Sequence, residues 1–254
     1  VWASDLDTHQ EREVAKLPND LEARGNVTTN ADESLVVGIG VDPNGKTRPR
    51  TPPPGNVGGR LEPRWAEGTP KVLYTIDVKT GEVNKIYREN DWTNHLQCSP
   101  TDPNLIMFCH EGPWHYVDRI WTIKSDGSGL RSVHQRDMDL EIAGHEFLSA
   151  DGKMLWYDLQ TPKSGVFWLA GLNLENGERT RYNLKREEWS VHFNVSPDGT
   201  LFAGDGGGPS SVAARTPDGA TLDPPGNGQW IYLFHPVNAS NPARVFPEQR
   251  DLIR

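Results

Sequence analysis

The chain is short of cysteine and of long apolar runs. Its 254 residues include two cysteines, Cys98 and Cys109, which are too few for a disulfide framework. On the arms of a hairpin that turns at 101–104 these two would be out of register, so we expect no bridge between them. No stretch approaches the roughly 18 apolar residues of a membrane span, and residues 1–5 show neither an initiating Met nor a signal-peptide pattern. The sequence therefore predicts no membrane partner, and we expect the natural N-terminus to lie upstream.

An excess of positive charge is also absent. Lys and Arg total 26 against 35 Asp and Glu, for a formal net charge of -9. Sequence-independent binding to nucleic acid requires clustered Lys and Arg on the phosphate backbone, so we expect no nucleic-acid partner. An acidic surface also repels a polyuronate on average, and such a substrate would need a locally basic pocket.

Glycine, proline and tryptophan are plentiful. The 25 Gly, 20 Pro and 9 Trp suit many short strands joined by tight turns, so we expect few helices. A unit of strand, Ser-Pro-Asp-Gly-like turn and second strand recurs along the chain, because Asp-Gly pairs supply the left-handed turn of a tight hairpin. Its copies are 193–202, 146–156, 96–106 and, more weakly, 27–36.

The hairpins belong to larger units. Each is followed by another apolar run, a glycine turn and a polar-edged strand, as at 72–87. Four strands per unit, spaced somewhat above the about 40–45 residues of a WD40 blade, predict an all-β fold, a β-propeller with about four blades present. We therefore assign 1–254 to a single β-propeller domain. Because the pattern starts and stops part-way through a blade, we expect this domain to be incomplete at both ends.

The widest spacing between hairpins contains a Pro- and Gly-rich insertion loop at 42–70. Proline lacks the amide hydrogen that a sheet needs, and glycine is entropically costly in a strand, so this segment is not expected to pair in a sheet. Two interpretations stay open. The segment is either a solvated insertion or a lid that carries arginines towards an anionic ligand, namely Arg48, Arg50, Arg60 or Arg64.

Three of the eight histidines occupy the same place in the repeat. His95, His145 and His192 each stand four residues before the turn serine. The first strand of every propeller blade lines the central channel, so equivalent positions converge at one end of the axis. Imidazoles gathered there can bind a divalent metal, act as a general base or hold a carboxylate. The pattern does not decide among these roles, and His9, His134 and His235 lie outside it, so we predict them to be surface residues.

Further polar residues are concentrated at two loops. The segment 109–119 carries His110, Glu111, His115 and Arg119 at a blade mouth, where binding groups collect. The alternative is a plain hairpin loop in which Asp118 and Arg119 pair with each other. The glycine-rich 204–208 is not followed by a helix pattern, so it is not a dinucleotide cradle. We expect a loop near the axis in which Asp205 contacts ligand.

These residues closely resemble the oligogalacturonate lyase family of pectin-degrading bacteria over roughly 70–235. The resemblance rests on 105–113 with 117–121, on 145–147, and on His192 leading into 198–201 and 204–206. It implies a seven-bladed propeller that cuts oligogalacturonides by β-elimination, of which this chain would lack the first and last blades. It also implies a divalent cation, typically manganese, and a cytoplasmic location, with the periplasm as the alternative.

The resemblance assigns roles to individual residues. His145 matches the Brønsted base, Arg119 an arginine of the substrate site, and His192 one metal ligand. The family's other metal ligands belong to a Gln-x-x-His-x-His motif that we expect beyond Arg254. To substrate binding we assign the remaining polar residues of the register and loops, namely His95, Gln97, His110, Glu111, His115 and Asp205.

Two other functions remain open. A non-catalytic propeller that binds a glycan or protein would show the same hairpins, although it would not need aligned histidines. A glycoside hydrolase would need paired carboxylates about 5–10 Å apart; Glu111, Glu146 and Asp205 are available, but none repeats in register. The sequence leaves the oligomeric state undetermined.

Overall fold

In the computed structural model of the chain, the described residues are 1–52, 61–206, 220, 231–236, 243–245 and 251–253. They are almost entirely β-strands and connecting turns, as predicted. Within this described part, the helices are one five-residue α-helix, α1 (Glu62–Ala66), and a 3-10 turn at Arg186–Glu188. None of the helices found there has the length and apolarity needed to cross a membrane.

The described residues contain nineteen strands in chain order. The first ten are β1 (Trp2–Ser4), β2 (Glu11–Glu13), β3 (Glu22–Thr29), β4 (Leu35–Val41), β5 (Lys71–Asp77), β6 (Val83–Glu89), β7 (Trp92–Cys98), β8 (Leu105–Glu111), β9 (Ile120–Lys124) and β10 (Arg131–Ser132). The others are β11 (Ile142–Leu148), β12 (Met154–Gln160), β13 (Phe167–Asn173), β14 (Arg179–Leu184), β15 (Phe193–Val195), β16 (Phe202–Gly204), β17 (Ile231–Phe234), β18 (Ala243–Val245) and β19 (Asp251–Ile253).

The chain divides into two compact units. Unit 1 comprises Val1–Pro113 and Arg119–Val133. It contains the two-stranded sheet β1-β2 and two four-stranded sheets, ordered β3-β4-β5-β6 and β7-β8-β9-β10. In both larger sheets consecutive strands pair antiparallel, which is the up-and-down order of a propeller blade.

Unit 2 comprises Trp114–Asp118 and His134–Arg254. Its sheets are ordered β11-β12-β13-β14-β18, in which β18 runs parallel to β14, and β15-β16-β17-β19. The four large sheets of the two units correspond to the four predicted blades. The assignment of the whole chain to one domain stays a prediction.

The repeated hairpins form as predicted, through the serine and the Asp-Gly pair. In the β11–β12 turn, the Ser149 hydroxyl donates to Asp151 Oδ1 at 2.6 Å and accepts the Met154 amide at 2.9 Å. Gly152 adopts the left-handed φ of 70° that glycine takes at little cost. The β15–β16 turn repeats these bonds at Ser196 and Asp198.

Each unit has its own apolar core. In unit 1 one cluster gathers the inward side chains of β4, β5, β7, β8 and β9, among them Ile39, Leu73 and Phe108. In unit 2 the core is aromatic and includes Trp189 and Phe202. Burying each such side chain contributes roughly 1.5–3 kcal/mol, and the resulting rigid sheets hold the strand ends that carry the polar residues.

The insertion at 42–70 is more ordered than the loop we expected. It contains α1, and Arg50 extends from it to Asp91, with 2.6 Å between Nη2 and Oδ1. The Arg64 guanidinium stacks 4.1 Å above the ring centre of Trp92. The insertion is thus partly folded onto unit 1, whereas 53–60, including Arg60, lies outside the described residues. The two cysteines form no disulfide, since Cys98 is opposite Ile106 and Cys109 opposite Asn94.

Candidate active site

Two of the three in-register histidines meet in unit 2. The ring centres of His145 and His192 lie 4.5 Å apart with their planes inclined by 60°. His145 is half-buried, and its ring also makes a T-shaped contact with Trp114 at 5.4 Å between ring centres. The predicted convergence is therefore confirmed for this pair, which we call the histidine pair. His95 belongs to unit 1 and is described with it below.

Asp205 fixes the orientation of His192. Its Oδ2 accepts a hydrogen bond from His192 Nδ1 at 2.6 Å, and its Oδ1 accepts the backbone amides of Val191 and His192 at 3.0 Å each. Both carboxylate oxygens are thereby directed at one histidine. A carboxylate on one ring nitrogen leaves the other, Nε2, available as a ligand, which is the usual arrangement behind a metal-bound histidine.

A β-bulge turns His145 out of the regular strand pattern. Gly144 and His145 together lie opposite the single residue Asp158, because the register shifts between Ala143 and Glu146. A Cβ on Gly144 would come within 2.5 Å of Asp158 Oδ2, so only glycine lets the bulge close over this buried carboxylate. Bulges of this kind re-aim side chains next to active sites.

Unit 1 carries the same bulge at His95. The register of β7 and β8 shifts between Asn94 and Gln97, and His95 has a φ of 47°. Few residues other than glycine adopt a positive φ, which costs on the order of 1–3 kcal/mol and tends to occur at functional sites. The sequence register of the histidines thus corresponds to a repeated backbone irregularity.

His95 is held by Arg119 and Glu111. The Arg119 guanidinium donates to Glu111 Oε1 at 2.8 Å and to His95 Nδ1 at 3.2 Å, and Glu111 Oε2 lies 3.5 Å from His95 Nε2. We call these three residues the Arg119 cluster. Arg119 is fully buried, while the side chain of His95 is 27% exposed. In unit 2, Asp118 Oδ1 lies 3.2 Å from Arg136 Nε, and the alternative pairing of Asp118 with Arg119 stays a prediction.

The cluster sets the charge of Glu111. Burial raises the pKa of this carboxyl, but the Arg119 charge and hydrogen bond, the Gly112 amide and His95 outweigh it, so the pKa lies below its usual value. Glu111 is therefore ionised at neutral pH and balances the buried guanidinium. A buried charge needs such a partner.

His110 lies on the other face of β8. Its Nε2 donates to Glu89 Oε2 at 2.8 Å, and its ring packs between Phe108 and Trp121. Neighbouring residues of a strand point to opposite faces, so His110 is not brought together with Glu111. Glu89 was not predicted from the sequence, because it closes a different strand and nothing local marks it.

The other predicted binding residues are more scattered. Gln97 is half-buried on β7 just beyond the bulge. His115 is buried in unit 2 against Tyr116, and its pKa falls to about 4 because burial, Lys163 and Arg136 all disfavour the charged ring. Their roles in substrate binding stay predictions.

One prediction about the histidines is wrong. His134 is buried and does not lie on the surface. Its Nε2 donates to Glu141 Oε1 at 2.6 Å, and its Nδ1 lies 3.1 Å from the Tyr157 hydroxyl. Tyr157 and Glu141 satisfy the ring's polar atoms away from water, and their positions could not be read from the repeat. His9 and His235 are exposed, as predicted.

Two groups of side chains in unit 1 also have the spacing of metal ligands. Potential ligand atoms of His95, Cys109 and Glu111 lie within 4.8 Å of one another, as do those of Glu89, Asp91 and His110. In both groups the carboxylates already carry internal partners: Arg119 for Glu111, and Arg50 for Asp91. The orientation of His192 by Asp205 fits a metal ligand better.

Comparisons with known proteins show the family of the chain. A family model described as oligogalacturonate lyase matches residues 1–241. The chain is 30% identical over 235 residues to the oligogalacturonate lyase of Dickeya dadantii, which covers 91% of this chain and 56% of that protein. It is 27% identical to the oligogalacturonide lyase of Pectobacterium atrosepticum over the same shares of both chains.

A solved structure gives the same result for the fold. An oligogalacturonate lyase in complex with manganese superposes with a TM-score of 0.72 at 26% identity, covering 91% of this chain and 55% of that one. The fold is thus the predicted β-propeller, and the seven-bladed ring stays a prediction. The chain spans about half the length of the relatives it matches. On the family match across most of its residues, this chain belongs to the oligogalacturonate lyase family.

Proposed function

We propose that this protein cleaves oligogalacturonides, short fragments of pectin, by β-elimination. The observation that carries the proposal is the histidine pair, in which His192 is oriented by Asp205 and His145 lies beside it on a bulge. A base placed next to an oriented metal ligand is what this reaction requires. The family and the named relatives support the choice of substrate.

His145 takes the role of general base. The proton removed is on C5 of the uronate, next to the carboxylate, and it is too weakly acidic for an unaided imidazole. As His145 accepts it, the electron pair left on C5 forms the C4–C5 double bond and the bond from C4 to the glycosidic oxygen breaks. The leaving oxygen takes a proton to become a hydroxyl, and His145 returns to its neutral form by releasing the proton that it accepted. The products are a new reducing end and an unsaturated uronate. The contacts of His145 with Trp114 and His192 hold its ring in place for this transfer.

His192 would hold a divalent cation through Nε2. When bound, the cation neutralises the uronate carboxylate and stabilises the enolate-like charge that develops during proton removal. The fit rests on the donor set, since Asp205 fixes His192 with Nδ1 protonated. The manganese complex of a solved relative supports manganese as the ion.

Arg119 is assigned a positioning role. Its guanidinium is fully buried and engaged by Glu111 and His95, so in this arrangement the substrate meets His95, the exposed member of the Arg119 cluster. His95 then contacts the sugar, and Arg119 with Glu111 keeps its ring from rotating.

The test is incubation of the protein with digalacturonate and trigalacturonate, with and without manganese, while the ultraviolet absorbance of the unsaturated product is recorded. His145→Ala is expected to lower the rate by about 100- to 10,000-fold, the usual range for loss of a general base. His9→Ala, which removes an exposed histidine, serves as the matched control and should leave the rate unchanged. Absence of product from a demonstrably folded wild-type protein would favour a propeller that only binds its glycan.

A further inference from the structure

A second site with the chemistry of an anion receptor lies in unit 1. A cavity of about 310 Å³ has a lining that includes Arg24, Arg64, Lys71, Trp92 and Glu67, together with Val41, Gly68 and Thr69. Its volume is at the lower end of the roughly 300–1,000 Å³ of small-molecule sites. We call it the cationic pocket. Among the described residues that line it, three carry positive charge and one carries negative charge.

Lys71 is the unusual member of the pocket. This residue begins β5 and is only 8% exposed. Within the described part of the chain, no carboxylate pairs with its ammonium group. Burial lowers the pKa of Lys71, and the charges of Arg64 and Arg24 lower it further, while Glu67 acts in the opposite direction. A buried ammonium beside two guanidinium groups is unfavourable until an anion joins them.

Trp92 gives the pocket an apolar wall. The Arg64 guanidinium lies 4.1 Å from its ring centre, so the indole holds this cation in place. An aromatic ring next to fixed cations suits a sugar acid, because the C–H groups of a pyranose can pack on the part of the indole that Arg64 leaves uncovered while its carboxylate meets the charges. A simple inorganic anion has no apolar surface that could pack on the indole.

Two neighbouring arginines already have carboxylate partners. In an adjoining cavity of about 820 Å³, Arg50 pairs with Asp91 at 2.6 Å and Arg88 pairs with Asp42. Arg24 in the cationic pocket has a partner, Glu22, at 3.0 Å. This pair is largely exposed, and exposed pairs contribute about 0–1 kcal/mol, so Arg24 can turn to a ligand at little cost.

The pocket borders the Arg119 cluster. Trp92, which forms one wall of the pocket, is the direct cross-strand neighbour of Glu111 on β8. An extended substrate bound at His95 would therefore lie next to this wall, within unit 1. We propose that the cationic pocket is a subsite that binds the carboxylate of one uronate residue of the oligogalacturonide. The proposal takes the identity of the sugar from the proposed function; the anion-binding chemistry is independent of it.

The experiment is calorimetric titration of the full chain at low salt with galacturonate, neutral galactose and inorganic phosphate, together with rates on digalacturonate and trigalacturonate. Lys71→Met is the main variant. It removes a charge that folding must desolvate, so its unfolding temperature should equal or exceed that of the wild type. Arg64→Gln tests the second cation, and Lys79→Met, in an exposed turn, is the matched control.

We expect Lys71→Met to weaken galacturonate binding by about 10- to 100-fold, the effect of losing one charged hydrogen bond, and Lys79→Met to have no effect. Neutral galactose should bind neither the wild type nor Lys71→Met. Equal galacturonate affinity in the wild type and in both pocket variants would overturn the subsite. Lys71-dependent binding in which phosphate outcompetes galacturonate would overturn the sugar assignment.

The titration and the rates separate the two proposals. Lys71-dependent galacturonate binding in a protein that releases no unsaturated product would support the pocket and contradict the lyase activity. Product release with the same rate and KM in Lys71→Met, for both oligomers, would support the lyase and contradict the pocket.

Discussion

Both carboxylate oxygens of Asp205 are directed at His192, one at its ring Nδ1 and the other at its backbone amide. Asp205 therefore positions His192 more than it faces a ligand, and its assigned contact with substrate stays a prediction. We therefore expect substitutions at Asp205 to change metal binding.

Asp205→Asn is expected to weaken manganese binding and to lower the manganese-dependent rate by about 10- to 100-fold, the usual effect of losing the carboxylate behind a metal-bound histidine. The measurement is the rate of product formation against manganese concentration. Asp198→Asn, in the exposed turn of the same hairpin, should leave the manganese dependence unchanged. Equal manganese dependence in all three proteins would remove His192 from the metal site.

Gly144→Ala should displace His145. The new Cβ would lie 2.5 Å from Asp158 Oδ2, and Asp158 cannot move away freely because it accepts the Trp189 indole N–H at 2.7 Å. Overpacking of this kind costs about 1–3 kcal/mol, and we expect the lyase rate to fall with it. Gly177→Ala, at a positive φ with open space around it, should also cost stability but keep the rate. Similar rates in both variants would show that the bulge does not determine the position of His145.

Glu111→Gln should destabilise the protein, because it leaves the buried Arg119 without its counter-charge; breaking such a pair costs on the order of 3 kcal/mol. The folded-state pKa of Glu111 is lowered, so its stabilising contribution is complete above the unfolded pKa of about 4.3 and is lost as the pH falls through the folded pKa. Denaturant unfolding should therefore show a gap between wild type and variant that is widest at neutral pH and narrows in acid. Glu82→Gln, which alters an exposed carboxylate, should unfold with the same free energy as the wild type. A difference between the wild type and Glu111→Gln that does not change with pH would contradict the ionised pair.

His115→Gln should flatten the pH dependence of stability. The pKa of His115 is lowered to about 4 by burial, Lys163 and Arg136, so between about pH 6.5 and pH 4 the unfolded chain binds a proton that the folded chain does not. As the pH falls from about 6.5 to 4, His115 should lower the free energy of unfolding of the wild type by up to about 3 kcal/mol. Parallel pH curves for the wild type and His115→Gln would contradict the shift, and His9→Gln, at an exposed site, should retain the wild-type slope.

The hairpin repeat could be predicted from the sequence because its bonds are local. Ser149, Asp151 and Gly152 make the turn among themselves, so the residues that specify it stand next to each other. The same repeat, with the apolar run and glycine turn that follow each hairpin, predicted the all-β fold and the four blades. The histidine register followed from that repeat.

Tertiary structure decided how those histidines are used. The sequence placed His95, His145 and His192 alike, but their partners come from distant segments: Arg119 and Glu111 for His95, and Asp205 for His192. Strand alternation sent His110 to the face opposite Glu111, and the burial of His134 depends on Glu141 and Tyr157. Local patterns fix a residue's place along a strand, whereas charge partners, bulges and burial depend on which strands are neighbours, and only the folded chain determines that.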